Sequence, residues 1–331
     1  MSDSKAAPGT SRRRILRQAA VATGAVALIR NAAAQDSAQA EDQSAWKKFF
    51  PADFRNERIK TTGAEINAVI GGSGPPLLLF HGAPDSLITW RLIAPDLAKE
   101  YTVVMCDLRG YGDSSKPEDK PDHSQQSKRP MALDGVEVME HLGFRQFRMV
   151  GHDRGGRVGR RMAIDHPDRV LKIAVLDIVP AHYLYSHVTL DFVRGYPHWF
   201  SYLLPAPGPE NDLVAAAKRQ AAQNLNDVQR EYSRHRVKYE MEHCMCEDYR
   251  ASASVDLTID HADIKAGKKI TSPLLALWAG RGLYPRLFSD VLSIWKEEGT
   301  KVSGKAVDGS HNLQESAPKE TLAELQQFLR G

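Results

Sequence analysis

The chain has 331 residues, 42% hydrophobic and 26% charged, values of an ordinary folded enzyme with room for one large core and an inserted unit. Its net charge of +3 belongs to the first residues: positions 1–34 carry six basic side chains (Lys5, Arg12, Arg13, Arg14, Arg17, Arg30) and one acid (Asp3), leaving 38 basic against 40 acidic residues beyond them. The body is near neutral, so nucleic-acid binding has no support, and three cysteines (Cys106, Cys244, Cys246) make neither a disulfide framework nor a metal knuckle.

The leader at 1–34 reads as an export signal. Ser11-Arg12-Arg13-Arg14-Ile15-Leu16-Arg17 resembles the twin-arginine pattern, and the apolar run at 19–29 is too short for a bilayer, which takes roughly 20 helical residues. Ala32-Ala33-Ala34 supplies small side chains for cleavage, which puts the expected mature protein in the periplasm after passage through the twin-arginine translocase. A basic tail with an accidental apolar stretch is the alternative. A polar linker is expected at 35–45.

Folded elements are expected from about Trp46. Short apolar runs at 77–80, 103–106, 147–150, 173–176, 274–278 and 305–307 read as strands, with helices at 87–99, 130–142, 157–166 and 318–329. Continuous apolar strands alternating with helices predict an α/β fold, a mostly parallel sheet with helices on both faces. The stretch 181–261 breaks the alternation. It is rich in aromatics and charges and helical in pattern, especially over 210–231, and is expected to be an inserted helical cap over the carboxyl ends of the strands. The core would thus comprise 46–180 and 262–331.

Chemistry concentrates at Gly151-His152-Asp153-Arg154-Gly155-Gly156, which follows a strand and opens a helix. It has the form of a nucleophile elbow, Gly-x-nucleophile-x-Gly, with aspartate where serine is usual. The helix N-terminus keeps such an aspartate ionised. His81-Gly82-Ala83-Pro84 follows the strand at 77–80, where this kind of fold places one oxyanion amide; the backbone N–H groups of Ala83 and Arg154 are the expected pair. His311, after the last strand, is the expected base. Asp177, at the end of the run 174–176, is the expected acid, because the loop Ala279-Gly280-Arg281-Gly282-Leu283 offers no carboxylate. Arg109, Tyr111 and Asp113 read as structural.

A carboxylate nucleophile sets the reaction class. It attacks saturated carbon, displaces a leaving group and forms an alkyl ester, which water activated by His311 would hydrolyse. A halide and an opened epoxide are the obvious leaving groups.

These motifs, together with Asp107-Leu108-Arg109-Gly110-Tyr111-Gly112-Asp113-Ser114, Leu176-Asp177-Ile178-Val179-Pro180, His198-Trp199-Phe200 and Cys246-Glu247-Asp248-Tyr249-Arg250-Ala251, resemble the fluoroacetate (haloacetate) dehalogenases of the α/β-hydrolase fold from about Phe50 onward. The resemblance implies Asp153 as nucleophile, Asp177 and His311 as its partners, and Arg154 and Arg157 as a clamp for the substrate carboxylate. It also implies a halide site at His198, Trp199 and Tyr249, a small haloacid and water as reactants, no cofactor or metal, and a homodimer. Paired guanidiniums suit a carboxylate, and polar donors suit a departing fluoride. The chain departs from the family's usual residues at Ala83, Asp85, Pro197 and Asn312, which leaves the preferred halogen and acid size open. Two other functions remain: an epoxide hydrolase with the same Asp–His machinery, and a catalytically inactive hydrolase fold used for binding.

Overall fold

The computed structural model describes residues 45–331; the expected leader and all but the last residue of the expected linker lie outside the described residues. Among the described residues, eight strands form one sheet: β1 (Arg55–Lys60), β2 (Glu65–Gly71), β3 (Pro76–Phe80), β4 (Thr102–Cys106), β5 (Phe147–His152), β6 (Val170–Leu176), β7 (Leu274–Ala279) and β8 (Val302–Val307). Their order is β1-β2-β4-β3-β5-β6-β7-β8. β1 and β2 pair antiparallel, β2 joins β4 antiparallel, and every later pairing is parallel.

The central strands are buried on both faces, which is why they read as unbroken apolar runs. β1 gave no such signal. Its sequence Arg55-Asn56-Glu57-Arg58-Ile59-Lys60 is that of a charged edge strand with only Ile59 buried. The expected helix over 87–99 is instead a 3-10 turn, Leu87–Trp90, and one helical turn, Ala94–Leu97, with Pro95 in its first turn. The Leu87 amide donates to Asp107 rather than to a helical carbonyl (2.7 Å). The other expected helices lie at Lys128–His141, Arg154–Asp165 and Pro318–Arg330.

Between β6 and β7 the chain runs through seven helices among the described residues, from Ala181–Ser186 to Val255–Lys265. The stretch expected to be helical over 210–231 falls on two helices, Gly208–Ala221 and Asp227–Arg236. The break is set by Asn226, whose side chain caps the second helix in a reciprocal capping box with Gln229.

Ion pairs tie this helical segment to the rest. Arg160 bonds Asp260 (2.8 Å) and Glu298 (2.7 Å), Arg161 bonds Asp263 (2.6 Å), and Arg234 holds Asp113 (2.9 Å). Arg109 is gripped by Asp134 through Nε (2.5 Å) and Nη2 (2.6 Å). Buried charges persist only when so paired.

Candidate active site

Asp153 sits between β5 and the helix Arg154–Asp165 with φ 45° and ψ −114°, a strained conformation for a residue with a side chain. The turn is possible because its flanks are bare. A Cβ on Gly155 would lie 2.5 Å from the carbonyl oxygens of both Phe80 and His81, and one on Gly82 would lie 2.7 Å from the Asp153 Cβ. The strand β3 and its exit loop therefore run directly against the elbow. Ala83 N–H donates to Asp153 Oδ1 at 3.1 Å, and the Arg154 amide opens the helix on the other side.

His311 Nδ1 lies 2.6 Å from Asp177 Oδ2, and His311 Nε2 stands 3.8 Å from Asp153 Oδ2. Asp177, with φ 46°, is fully buried and also accepts the Ala279 N–H through Oδ1 (2.8 Å). The loop without a carboxylate thus supplies an amide that fixes the acid. His152 Nε2 donates to the His311 carbonyl at 3.0 Å, so its ring braces His311.

Charges at this centre are unequal. Burial would push the Asp153 carboxyl up, but His311, His152, Arg157 and Arg154 outweigh it and hold the group well below the usual carboxylate range. Burial would push His311 down, but the Asp177 bond and the charges of Asp153 and Asp85 raise it above the ordinary histidine value. Burial drives His198 down to about 4, so its imidazole is neutral near pH 7 and keeps one N–H to donate.

A cavity of about 290 Å³ opens on Asp153. Ala83, Pro84 and His311 line it from the sheet side, and Tyr196, His198, Trp199, Tyr202, Met245, Tyr249 and Arg236 from the helical segment. The rings of His198, Trp199 and Tyr249 meet edge to face, with centroids 5.7 Å apart for both Tyr249 pairs. The three residues expected to receive a halide are therefore neighbours on one wall.

Arg154 and Arg157 lie behind that wall rather than on it. Arg154 is fully buried under the Tyr249 ring (4.1 Å), and Arg157 stacks on Trp199 (4.7 Å). Arg154 gives Nε and Nη2 to the Asp248 carboxylate (3.0 and 2.5 Å), which also accepts Tyr111 OH (2.7 Å) and pairs with Lys128. Burial would raise Asp248, but Arg154 and Lys128 bring it down to about 2. Arg157 donates Nη1 to the Val179 carbonyl (2.6 Å). One donor atom of each arginine, Arg154 Nη1 and Arg157 Nε, is buried with no partner among the described residues. An unpaired buried donor costs about 1–3 kcal/mol, more on a charged group, and a ligand oxygen would relieve it.

The chain reading passed over several of these residues. Asp248 stood inside a quoted motif without a role, although a buried arginine at the elbow requires an acid partner. Tyr196, Tyr202 and Arg236 carried no signal, since helices of irregular length bring them to the cavity. Asp85 and Asn312, noted separately as departures, form one hydrogen bond (2.9 Å) beside His311.

Residues 75–281 match the model of the α/β hydrolase fold. The chain is 40% identical over 288 residues to a fluoroacetate dehalogenase from Burkholderia sp, covering 83% of this chain and 94% of that one. This chain belongs to the haloacetate dehalogenase family of the α/β-hydrolase fold. A more distant member of the fold, a soluble epoxide hydrolase from Corynebacterium sp. (strain C12), is 30% identical over 81% of this chain and 94% of its own. Among solved structures, an α/β hydrolase from Nostoc sp PCC 7120 is 43% identical, with a TM-score of 0.79 over 84% of this chain and 98% of that one. In this haloacetate dehalogenase family member the elbow aspartate is a buried carboxylate held in its ionised form.

Proposed function

We propose that the protein hydrolyses the carbon–halogen bond of small 2-haloacids such as haloacetates, through an ester on Asp153. The observation that carries this reading is the Asp153 carboxylate itself, held ionised at a strained turn with Ala83 N–H at 3.1 Å and His311 on its other oxygen at 3.8 Å. An Asp153 oxygen attacks the α-carbon, the carbon–halogen bond breaks, and the halide leaves with the bonding pair. Water then gives a proton to His311 Nε2 and attacks the Asp153 carbonyl carbon. The oxyanion is met by the amides of Ala83 and Arg154; on collapse His311 returns its proton to the leaving alkoxide to give the hydroxy acid, and the proton left on the Asp153 carboxyl passes to solvent, which restores the carboxylate.

Arg154 Nη1 and Arg157 Nε are the donors available for the substrate carboxylate, which would set the α-carbon in line with Asp153. His198, Trp199 and Tyr249 supply N–H and O–H groups for the developing halide. Asp177 keeps the imidazole proton on Nδ1 so that Nε2 can accept. In this reading the helical segment acts as the cap that keeps bulk water off the site.

Epoxide hydrolysis by the same Asp–His pair is favoured by one observation: Tyr196, Tyr202 and Tyr249 all reach the cavity, and phenols can protonate a ring oxygen. Halide release from fluoroacetate and chloroacetate, set beside diol formation from styrene oxide, separates the two. A single turnover in oxygen-18 water tests the mechanism. Label in the Asp153 side chain is expected, and label passing only into glycolate would overturn the ester.

The leader 1–34 is proposed to direct export by the twin-arginine translocase to the periplasm, and cell fractionation with and without Arg12 and Arg13 replaced by Lys tests it. Homodimerisation, expected from the resemblance, is tested by light scattering.

A further inference from the structure

The cavity is larger than a haloacetate needs. At the roughly 30 Å³ that a free water takes, the five heavy atoms of a haloacetate fill about 150 Å³, an upper bound because bonded atoms pack closer. The space in front of Asp153 is about 290 Å³. About half of it is then left for a further substituent on the α-carbon.

A cation lines that space. Arg236 ends the helix Asp227–Arg236 and contributes to the cavity wall along with Tyr202 and Met245. Its side chain is 21% exposed, and among the described residues its hydrogen-bond partner is Glu242, reached through Nε at 3.0 Å. Its remaining guanidinium N–H donors have no acceptor among the described residues. Glu242 is fully buried and keeps one oxygen unpartnered among the described residues, so the pair is a single carboxylate–guanidinium contact and not a saturated fork. Arg236 is also separate from Arg154 and Arg157, which lie behind the Trp199 and Tyr249 rings.

Resting on the dehalogenase reading above, we propose that Arg236 forms a second anion subsite, and that the preferred substrates include 2-haloacids with a second carboxylate, of which 2-chlorobutanedioate is the simplest probe. Its nine heavy atoms take up to about 270 Å³ on the same scale, close to the volume present. One carboxylate meets Arg154 and Arg157, the other meets Arg236, and the chlorinated carbon between them faces Asp153. The chemistry is unchanged: chloride leaves with the bonding pair, and water restores Asp153 and gives the 2-hydroxy diacid.

The test is chloride release by the purified enzyme from chloroacetate, 2-chlorobutyrate and 2-chlorobutanedioate, in the wild type and in Arg236→Leu/Glu242→Gln, which removes the buried pair together. In the wild type, kcat/KM for the diacid is expected to exceed that for 2-chlorobutyrate, which has the same carbon chain without the second charge. In the variant the ratio of diacid to chloroacetate is expected to fall about 10- to 100-fold, the effect of losing a charge-assisted hydrogen bond. Turnover of chloroacetate with no advantage for the diacid would overturn the subsite and leave the dehalogenase reading intact. A diacid advantage that survives in the variant would likewise overturn it. No chloride from any of the three would remove the dehalogenase reading, and the subsite with it.

Discussion

Nδ1 of His311 and Oδ2 of Asp177 are 2.6 Å apart, while Asp177 Oδ1 is pinned by the Ala279 amide at 2.8 Å. The acid cannot rotate without losing a buried backbone bond, so the imidazole is held with Nε2 toward Asp153. Asp177→Asn would keep the shape but reverse the donor, favouring the tautomer that cannot accept a proton from water. Ester hydrolysis should slow by about 10²- to 10⁴-fold, with the first attack nearly unaffected. Rapid-quench assays should then show one halide per site followed by a stall, and equal loss in both phases would refute the role.

The pH dependence should show the same division. Asp153 is held well below the usual carboxylate range and stays ionised in mild acid, whereas His311 is raised above its ordinary value and must be neutral to act. Steady-state kcat should fall as pH drops through the raised histidine value while the initial halide burst persists. As a stability term the sign is opposite: the His311 ion pair contributes fully below an ordinary histidine value near 6.5 and is lost as pH rises through the raised one. A burst that disappears together with kcat would count against an ionised Asp153.

Arg157→Leu removes one donor of the proposed carboxylate clamp without stranding an acid, because its protein acceptors are the Val179 carbonyl and the Tyr284 hydroxyl. We expect kcat/KM for haloacids to drop about 10- to 100-fold, the value of a charge-assisted hydrogen bond. Unchanged kinetics would show that the substrate acid binds elsewhere.

Asp248 is predicted to matter for folding. Asp248→Asn would leave the buried Arg154 without its acid and Lys128 with the more distant Asp256 (3.6 Å), at about 3–5 kcal/mol by urea unfolding. In the wild type, a carboxyl brought down to about 2 contributes stability above its unfolded value near 4, lost as pH falls through about 2. A variant with wild-type stability would mean that these charges find other partners.

The reaction class was legible in the chain because a nucleophile elbow is local: glycines at 151 and 155, a strand before and a helix after are all set within ten residues, and each is required by backbone crowding. The central strands were legible for a similar reason, since a strand buried on both faces must be apolar throughout. β1 was not, because an edge strand buries one residue and otherwise carries charge. Nor were the helix limits at 87–99 and 210–231, where Pro95, Asp107 and Asn226 redirect the backbone.

What the order of residues determined, then, was an aspartate at the elbow with a histidine after the last strand and an acid at the end of β6. Which arginines line the cavity, and how large it is, was decided only when distant segments met. Arg154 is pulled onto Asp248 and covered by Tyr249, and Arg236 arrives at the cavity from the end of a helix more than eighty residues after the nucleophile. A charge buried in a protein takes its partner by proximity in space, and spacing along the chain does not encode that proximity where helices of unequal length and an unpatterned break intervene.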